Sequence, residues 1–94
     1  MRTINRRNVT FDSAKDRINT ERHGLSLELA RRFEWDSALM WQDERFDYDE
    51  DRMVALGYIG PRLHCVVFVD RPDGRRIISL RKANTREVKR YAEA

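Results

Sequence analysis

The stretch Arg75-Arg76-Ile77-Ile78-Ser79-Leu80-Arg81-Lys82-Ala83 has the pattern of a β-strand that is apolar on one side and basic on the other. Side chains alternate between the two faces of a strand, so Ile78 and Leu80 are predicted to enter a core. Ser79 and Arg81 then emerge together on the opposite face, roughly 7 Å apart. A hydroxyl beside a guanidinium is a suitable pair of donors for a phosphate group.

The segments before this stretch predict that it belongs to an antiparallel sheet. Arg71-Pro72-Asp73-Gly74 is a turn signal between two apolar runs, so residues 63–70 and 75–82 are expected to pair as a hairpin. Further strands are predicted at residues 37–42 and 52–59, and a short one at residues 9–11.

Three helices are predicted from capping residues and apolar spacing. Asp12 is a suitable cap for a helix over residues 13–23, which Gly24 ends and which places Ala14 and Ile18 on one face. Ser26 caps a second helix through residue 34, whose predicted core residues are Leu29, Ala30 and Phe33. A capping box at Asn84-Thr85-Arg86-Glu87 opens the last helix, with its apolar face formed by Val88, Tyr91 and Ala92. The order of elements indicates an α+β fold: a short strand, two helices, three to four antiparallel strands and a C-terminal helix.

Length and charge set limits on the function. Ninety-four residues suffice for one domain, predicted over residues 9–94 after a flexible tail at residues 1–8. Residues 42–51 carry six acids against one base, a net charge of −5, whereas residues 52–94 carry ten bases against four acids, a net charge of +6. A basic half suits a polyanion such as RNA. The single cysteine and the absence of an apolar leader or spanning run favour the cytoplasm and exclude a membrane protein.

Several motifs resemble those of the BrnT family, ribonuclease toxins of type II toxin-antitoxin pairs with a RelE-like fold. The resemblance covers residues 9–92, and its most specific part is the match of residues 76–83 to the family's Arg-Ile-Ile-Ser-Ala-Arg-Lys-Ala. The other matching segments are Phe11-Asp12-Ser13-Ala14-Lys15, Asn19-Thr20-Glu21-Arg22-His23-Gly24 and Glu50-Asp51-Arg52 four residues before Gly57.

The resemblance implies an activity and a partner. The activity is cleavage of RNA by 2′-OH attack without a metal or other cofactor, which inhibits translation and growth. The partner is a BrnA-like antitoxin that covers the basic face and binds DNA as part of the complex, so that the protein is a hetero-oligomer. We expect the antitoxin contacts among exposed apolar residues, because interfaces need such anchors; the candidates are Leu39, Met40, Trp41 and Tyr58.

The chain departs from the family pattern at three positions. Phe11 replaces a tryptophan, Arg22 replaces the lysine before the His-Gly pair, and Leu80 replaces an alanine. A guanidinium stays protonated, so Arg22 can contact phosphate but is a poor proton acceptor.

Metal-independent RNA cleavage needs a base for the 2′-OH, positive charge at the phosphate and a proton for the leaving oxygen. Arg52 and Arg81 are the predicted charge stabilisers, because a guanidinium fork matches phosphate oxygens. Ser79 is a predicted hydrogen-bond donor to the phosphate. Glu50 is the preferred base, since it lies two residues before Arg52, and His23 is the alternative group for proton transfer.

Three further basic residues, Arg22, Arg76 and Lys82, are predicted RNA contacts. Strand alternation places Arg76 and Lys82 on the side of Ile78, away from Arg81, and therefore at the periphery.

Two other interpretations remain open: a noncatalytic module that binds RNA or protein, and a magnesium site formed by the alternating acids Asp47, Asp49 and Asp51.

Overall fold

The computed structural model describes residues 8–94, in which five strands form one sheet with the spatial order β1-β5-β4-β3-β2. The strands are Val9–Thr10 (β1), Leu39–Gln42 (β2), Met53–Ile59 (β3), Arg62–Arg71 (β4) and Gly74–Lys82 (β5). The helices are Ser13–His23 (α1) and Thr85–Ala92 (α2), and two 3₁₀ helices span Leu27–Arg32 and Trp35–Ser37. The predicted α+β class is confirmed, with β1 joined in parallel to a sheet that is otherwise antiparallel.

The central hairpin forms as the turn signal predicts, with β4 and β5 paired from His64 opposite Lys82 to Arg71 opposite Gly74. Gly74 has a φ of 144°, and a Cβ added there would lie 2.4 Å from the Asn8 carbonyl oxygen. Only glycine therefore allows β1 to approach the start of β5 so closely. The predicted tail lies outside the described residues except for Asn8, whose carbonyl accepts a 2.6 Å hydrogen bond from Arg75.

A register shift in the central hairpin changes which residues of β5 enter the core. Val67 pairs with Ser79 and the next residue, Phe68, pairs with Ile77, so Ile78 is an extra residue in the ladder. Ile77 is completely buried, whereas Ile78 is half-buried. The prediction of Ile78 as the core residue is therefore wrong, because strict alternation ends at the bulge.

Helix α1 packs on the sheet through a polar residue. Ala14 and Ile18, the predicted apolar face, are exposed, and Asn19 is the buried residue of the helix. Its side-chain amide accepts a 3.0 Å hydrogen bond from the Leu80 N–H and donates 2.8 Å bonds to the carbonyls of Leu80 and Leu25. β1 pairs with β5 only at Arg75 and Arg76, so Asn19 satisfies the open edge of β5 farther along the strand.

The segment after α1 is a 3₁₀ helix rather than the predicted α-helix, although Ser26 caps it as expected. Its buried positions repeat every three residues at Leu27, Ala30 and Phe33, which is the period of a 3₁₀ helix. Leu29, a predicted core residue, is half-buried. The Asp16 carboxylate of α1 accepts bonds of 2.7 Å from the Leu27 N–H and 3.0 Å from the Ser26 hydroxyl, which fixes the first turn.

The start of β2 differs from the prediction, whereas the start of α2 agrees with it. The strand predicted from residue 37 begins at Leu39, after the 3₁₀ helix Trp35–Ser37. The capping box before α2 is confirmed, since the Asn84 and Glu87 side chains each accept a bond from the other's backbone N–H. Only Tyr91 of the predicted apolar face is half-buried, and Val88 is 46% exposed.

Candidate active site

The sheet has two faces with different coverage. Its back face packs against α1 and the first 3₁₀ helix through the larger core, which includes Val66, Phe68, Ile77 and Leu80. Its front face carries the alternate residues of each strand and a smaller apolar cluster beneath α2. By the strand register, the polar residues of this front face include Arg52 just before β3, Arg71 on β4, and Arg76, Ser79 and Arg81 on β5.

The bulge places Arg76 on the front face. Ser79 and Arg81 pair with Val67 and Cys65, and after the extra residue Ile78 the next front-face position of β5 is Arg76, opposite Val69. The prediction that Arg76 lies on the other side from Arg81 is therefore wrong. Arg76, Ser79 and Arg81 form one row along β5.

The row has two separate basic ends. Arg81 is opposite Cys65 and Arg76 is opposite Val69, four residues along β4, which corresponds to about 13 Å. Arg52 precedes Met53, whose partner is Phe68, so Arg52 belongs to the Arg76 end. The structure thus places the two predicted charge stabilisers, Arg52 and Arg81, at opposite ends of the front face.

Arg81 is held by the C-terminal helix. Its two terminal nitrogens donate bonds of 2.8 and 2.7 Å to the two carboxylate oxygens of Glu87, and one also reaches the Lys82 carbonyl at 3.3 Å. The pair is partly exposed, with 36% of the Arg81 side chain and 16% of the Glu87 side chain accessible. The hydrogen bond from Arg81 lowers the pKa of the Glu87 carboxyl, so the pair is charged at neutral pH.

His23 is the last residue of α1, and the charge of Arg81 acts on its imidazole. Burial lowers the pKa of the half-buried His23 imidazole, and the charges of Arg22 and Arg81 lower it further. The imidazole is consequently neutral at pH 7 and able to accept a proton. Arg22 and Lys82 are exposed, but Lys82 pairs with His64 and falls on the back face.

Glu50 belongs to the other end, where it is bound by Arg71. The Arg71 guanidinium donates bonds of 2.9 and 2.6 Å to the two Glu50 oxygens. This interaction, with smaller contributions from the charges of Arg76 and Arg52, lowers the pKa of the Glu50 carboxyl. Glu50 is therefore a charged anion among three arginines rather than a carboxylate whose pKa is raised toward neutrality.

The loop of residues 43–52 has a buried anchor that positions Arg52. Asp43 accepts bonds from Arg45 at 2.8 and 2.9 Å and from the Tyr48 hydroxyl at 3.3 Å, and its pKa falls to about 2 chiefly because of Arg45. The Arg52 guanidinium lies 4.2 Å from the centre of the Tyr48 ring. A cation over an aromatic face is attracted to it, so Tyr48 orients Arg52.

The acidic residues of this loop do not form a cluster of three that could hold a metal in the part of the chain described. Asp51, one of the three acids proposed for magnesium, accepts a 3.2 Å bond from Gln42. The alternative with magnesium at Asp47, Asp49 and Asp51 therefore has no such site within residues 8–94.

The residues proposed for antitoxin contact are partly covered within the chain itself. Leu39, Trp41 and Tyr58 lie beneath α2, where the Tyr91 ring is 5.6 Å from that of Tyr58 and the Arg90 guanidinium is 3.7 Å from Trp41. Met40 packs instead against the back core.

Sequence reasoning missed Arg71, Glu87 and Asp43. Arg71 lies in the turn signal, Glu87 in the capping box and Asp43 among six acids, so each already had a structural explanation, which hid the ion pair that it forms.

Within residues 8–94, no helix has the length and apolar character that crossing a bilayer requires.

A family model and a solved structure both indicate the same family for this chain. The family model described as "Ribonuclease toxin, BrnT, of type II toxin-antitoxin system" matches residues 11–87. The crystal structure of the Brucella abortus ribonuclease toxin BrnT is similar, with a TM-score of 0.62 and 26% sequence identity over 82% of this chain and 96% of that one. A search of curated proteins found no match.

Proposed function

The chain belongs to the BrnT family of ribonuclease toxins of type II toxin-antitoxin systems, and from this we propose that its front face cleaves RNA by 2′-OH attack without a metal ion. The observation that supports this proposal most strongly is the row of Arg76, Ser79 and Arg81 along one strand. A row of two guanidiniums and a hydroxyl provides charge and hydrogen bonds for a phosphodiester backbone.

The scissile phosphate binds at the Arg81 end. Arg81 stabilises the charge that develops on the phosphate oxygens, and Ser79, the next residue on the same face, donates a hydrogen bond to one of them. Glu87 and the Lys82 carbonyl engage only the two terminal nitrogens of Arg81, and Nε takes part in none of these bonds. The Nε–H is therefore a donor for the phosphate even while the ion pair persists.

His23 accepts the proton of the 2′-OH as the 2′-oxygen forms its bond to phosphorus; the bond from phosphorus to the 5′-oxygen breaks, and solvent water protonates the leaving 5′-oxygen. A base must be free of its proton, and burial together with the charges of Arg22 and Arg81 lowers the pKa of the His23 imidazole, which favours its neutral form. Glu50 is already ionised at neutral pH, but Arg71 binds both of its oxygens and lowers its pKa, which makes it a weaker base. We therefore assign proton abstraction to His23 in preference to Glu50, and assign Glu50 to the ordering of the arginines at its own end.

Membership of a type II toxin-antitoxin family supports the biological role proposed here. Cleavage of mRNA in the cytoplasm stops translation and growth, and a BrnA-like antitoxin neutralises the toxin by covering the front face. That complex, rather than the toxin alone, binds DNA.

The test uses purified protein and a single-stranded RNA in EDTA. We expect products ending in a 2′,3′-cyclic phosphate, resistance of the all-deoxy substrate, and a loss of about 10²- to 10⁴-fold in kcat/KM for His23→Ala. Arg81→Gln should also abolish cleavage, whereas Arg31→Gln is the control because Arg31 pairs with Glu28 on the back side.

The pH dependence distinguishes the two bases. Since the base must be deprotonated, kcat/KM should rise with pH and level off above an apparent pKa below 6.5 if His23 is responsible. If kcat/KM of the wild type is already level at pH 5 and Glu50→Gln loses activity, Glu50 is the base instead. Binding of RNA without any cleavage would contradict the enzyme and favour the noncatalytic RNA-binding module.

A further inference from the structure

We propose that Arg71 and Arg76, with Arg52 beside them, form a second phosphate subsite, so that the substrate is an RNA strand held at two phosphates that are not neighbours in the chain. This inference rests on the proposed function, because it concerns RNA bound on the same front face. It adds a binding role for Arg71 and makes Arg76 a subsite residue rather than a peripheral contact.

This group of arginines already binds an oxyanion. Arg71 donates two hydrogen bonds to the Glu50 carboxylate, at 2.6 and 2.9 Å, and the charges of Arg76 and Arg52 also act on that group. Two oxygens of a phosphate offer the same paired acceptors to a guanidinium fork. The same centre therefore directs the charges of three arginines at a single pair of carboxylate oxygens.

Both side chains of the pair between Arg71 and Glu50 are accessible to solvent. The Arg71 side chain is 37% exposed and that of Glu50 is 46% exposed. Exposed ion pairs contribute little to stability, since water solvates both partners almost as well. A phosphate can therefore displace Glu50, or share Arg71 with it, without opening the fold.

The two ends of the row are far apart. The backbones of Arg76 and Arg81 are about 13 Å apart along the strand direction. Their side chains also have different partners, because Glu87 of α2 holds the Arg81 guanidinium while the Arg76 charge acts on Glu50. Successive phosphates of a stacked strand advance about 3.4 Å, and even at roughly twice that rise two neighbours do not span this separation. We infer that the two ends bind different phosphates of a strand at least three nucleotides long.

The experiment removes phosphate charges one at a time. The substrates are short DNA strands with a single ribonucleotide at the cleavage position, each carrying one neutral methylphosphonate at a chosen distance from it. Cleavage is measured for the wild type, Arg71→Gln, Arg76→Gln and the control Arg31→Gln, and binding of the all-deoxy series is measured by fluorescence anisotropy. Thermal melts establish that each variant is folded.

We expect one methylphosphonate position, separated from the scissile phosphate by at least one other, to raise KM by about tenfold to a hundredfold in the wild type and in Arg31→Gln. The same position should have no further effect in Arg76→Gln or Arg71→Gln, because the missing contact is already lost. The effect should be on KM rather than kcat.

A loss of affinity in Arg76→Gln that is equal at every methylphosphonate position would overturn the subsite, since the arginine would then act only as general positive charge. The binding series separates this result from failure of the proposed function. If the protein cleaves nothing yet shows the position-specific effect in anisotropy, the subsite stands and the ribonuclease does not.

Discussion

Replacement of Asn19 by alanine tests whether α1 holds the active-site strand in place. Asn19 is 4% exposed and its amide binds both the N–H and the carbonyl of Leu80, which lies between Ser79 and Arg81. Alanine would leave these two backbone groups buried without a partner at an edge of β5 that β1 does not reach. The variant should therefore be less stable and less active than the wild type.

The expected size follows from the two lost partners. An unsatisfied buried polar group costs about 1 to 3 kcal/mol, so for two such groups we expect a loss of roughly 2 to 6 kcal/mol. The Leu25 carbonyl is less affected, because Thr20 also donates to it at 3.3 Å. A domain of this length has a free energy of unfolding of about 5 to 14 kcal/mol, so the loss is a large fraction of it.

Urea denaturation followed by circular dichroism measures this change. With a slope of about 1 to 3 kcal/mol per molar urea, the midpoint should fall by one to a few molar while the slope stays the same. The matched control is Thr20→Val, which removes one exposed hydrogen bond from the neighbouring residue and should change stability by less than about 0.5 kcal/mol. A midpoint for Asn19→Ala within that same margin would refute the argument that this amide replaces a strand partner.

Two further predictions concern the carboxylates that pair with arginine. Glu87→Gln keeps an acceptor for the capping box but removes the ion pair with Arg81. RNA should therefore bind several-fold more tightly to this variant in anisotropy titrations. Glu93→Gln, at the end of the same helix, is the control for loss of negative charge, and an equal gain in affinity there would contradict the prediction. Asp43, with a pKa lowered from 3.8 to about 2, stabilises the fold above pH 4 and loses this contribution as the pH falls through 2. Urea midpoints for the wild type and Asp43→Asn should therefore differ at pH 6 and converge near pH 2, whereas a constant difference would exclude the linkage.

The sequence predicts the elements well where local signals agree, and less well where packing decides. The turn at Pro72 and the capping box at Asn84 fix their segments through backbone chemistry that is visible in the residues themselves. The bulge at Ile78 is different: Ile77 and Ile78 have the same polarity, and only packing against Phe68 selects the residue that is buried. This single choice put Arg76 on the wrong face in the prediction.

Polar docking is the second source of error. The spacing of apolar residues predicts that α1 packs through Ala14 and Ile18. The helix packs instead through Asn19, whose three hydrogen bonds connect it to two separate segments. A pattern of apolar residues cannot reveal such a contact, because the strand edge that needs satisfying is known only once the sheet is formed. Likewise, the pairing of Arg81 with Glu87 depends on where α2 lies over the sheet.

The two ends of the front face share one arrangement that bears on the proposed binding of RNA. Each holds an arginine whose guanidinium binds both oxygens of a carboxylate from a neighbouring element: Glu87 from α2 and Glu50 from the loop after β2. Without these acids, Arg52, Arg76 and Arg81 would repel one another across a single sheet face. Because both pairs are partly exposed, a polyanion can compete with the carboxylates at small cost, and binding through released ion pairs and counterions weakens steeply as salt is added. If the front face binds RNA as proposed, we expect a ligand that presents two phosphates at once to compete better than a single phosphate, which can displace only one carboxylate.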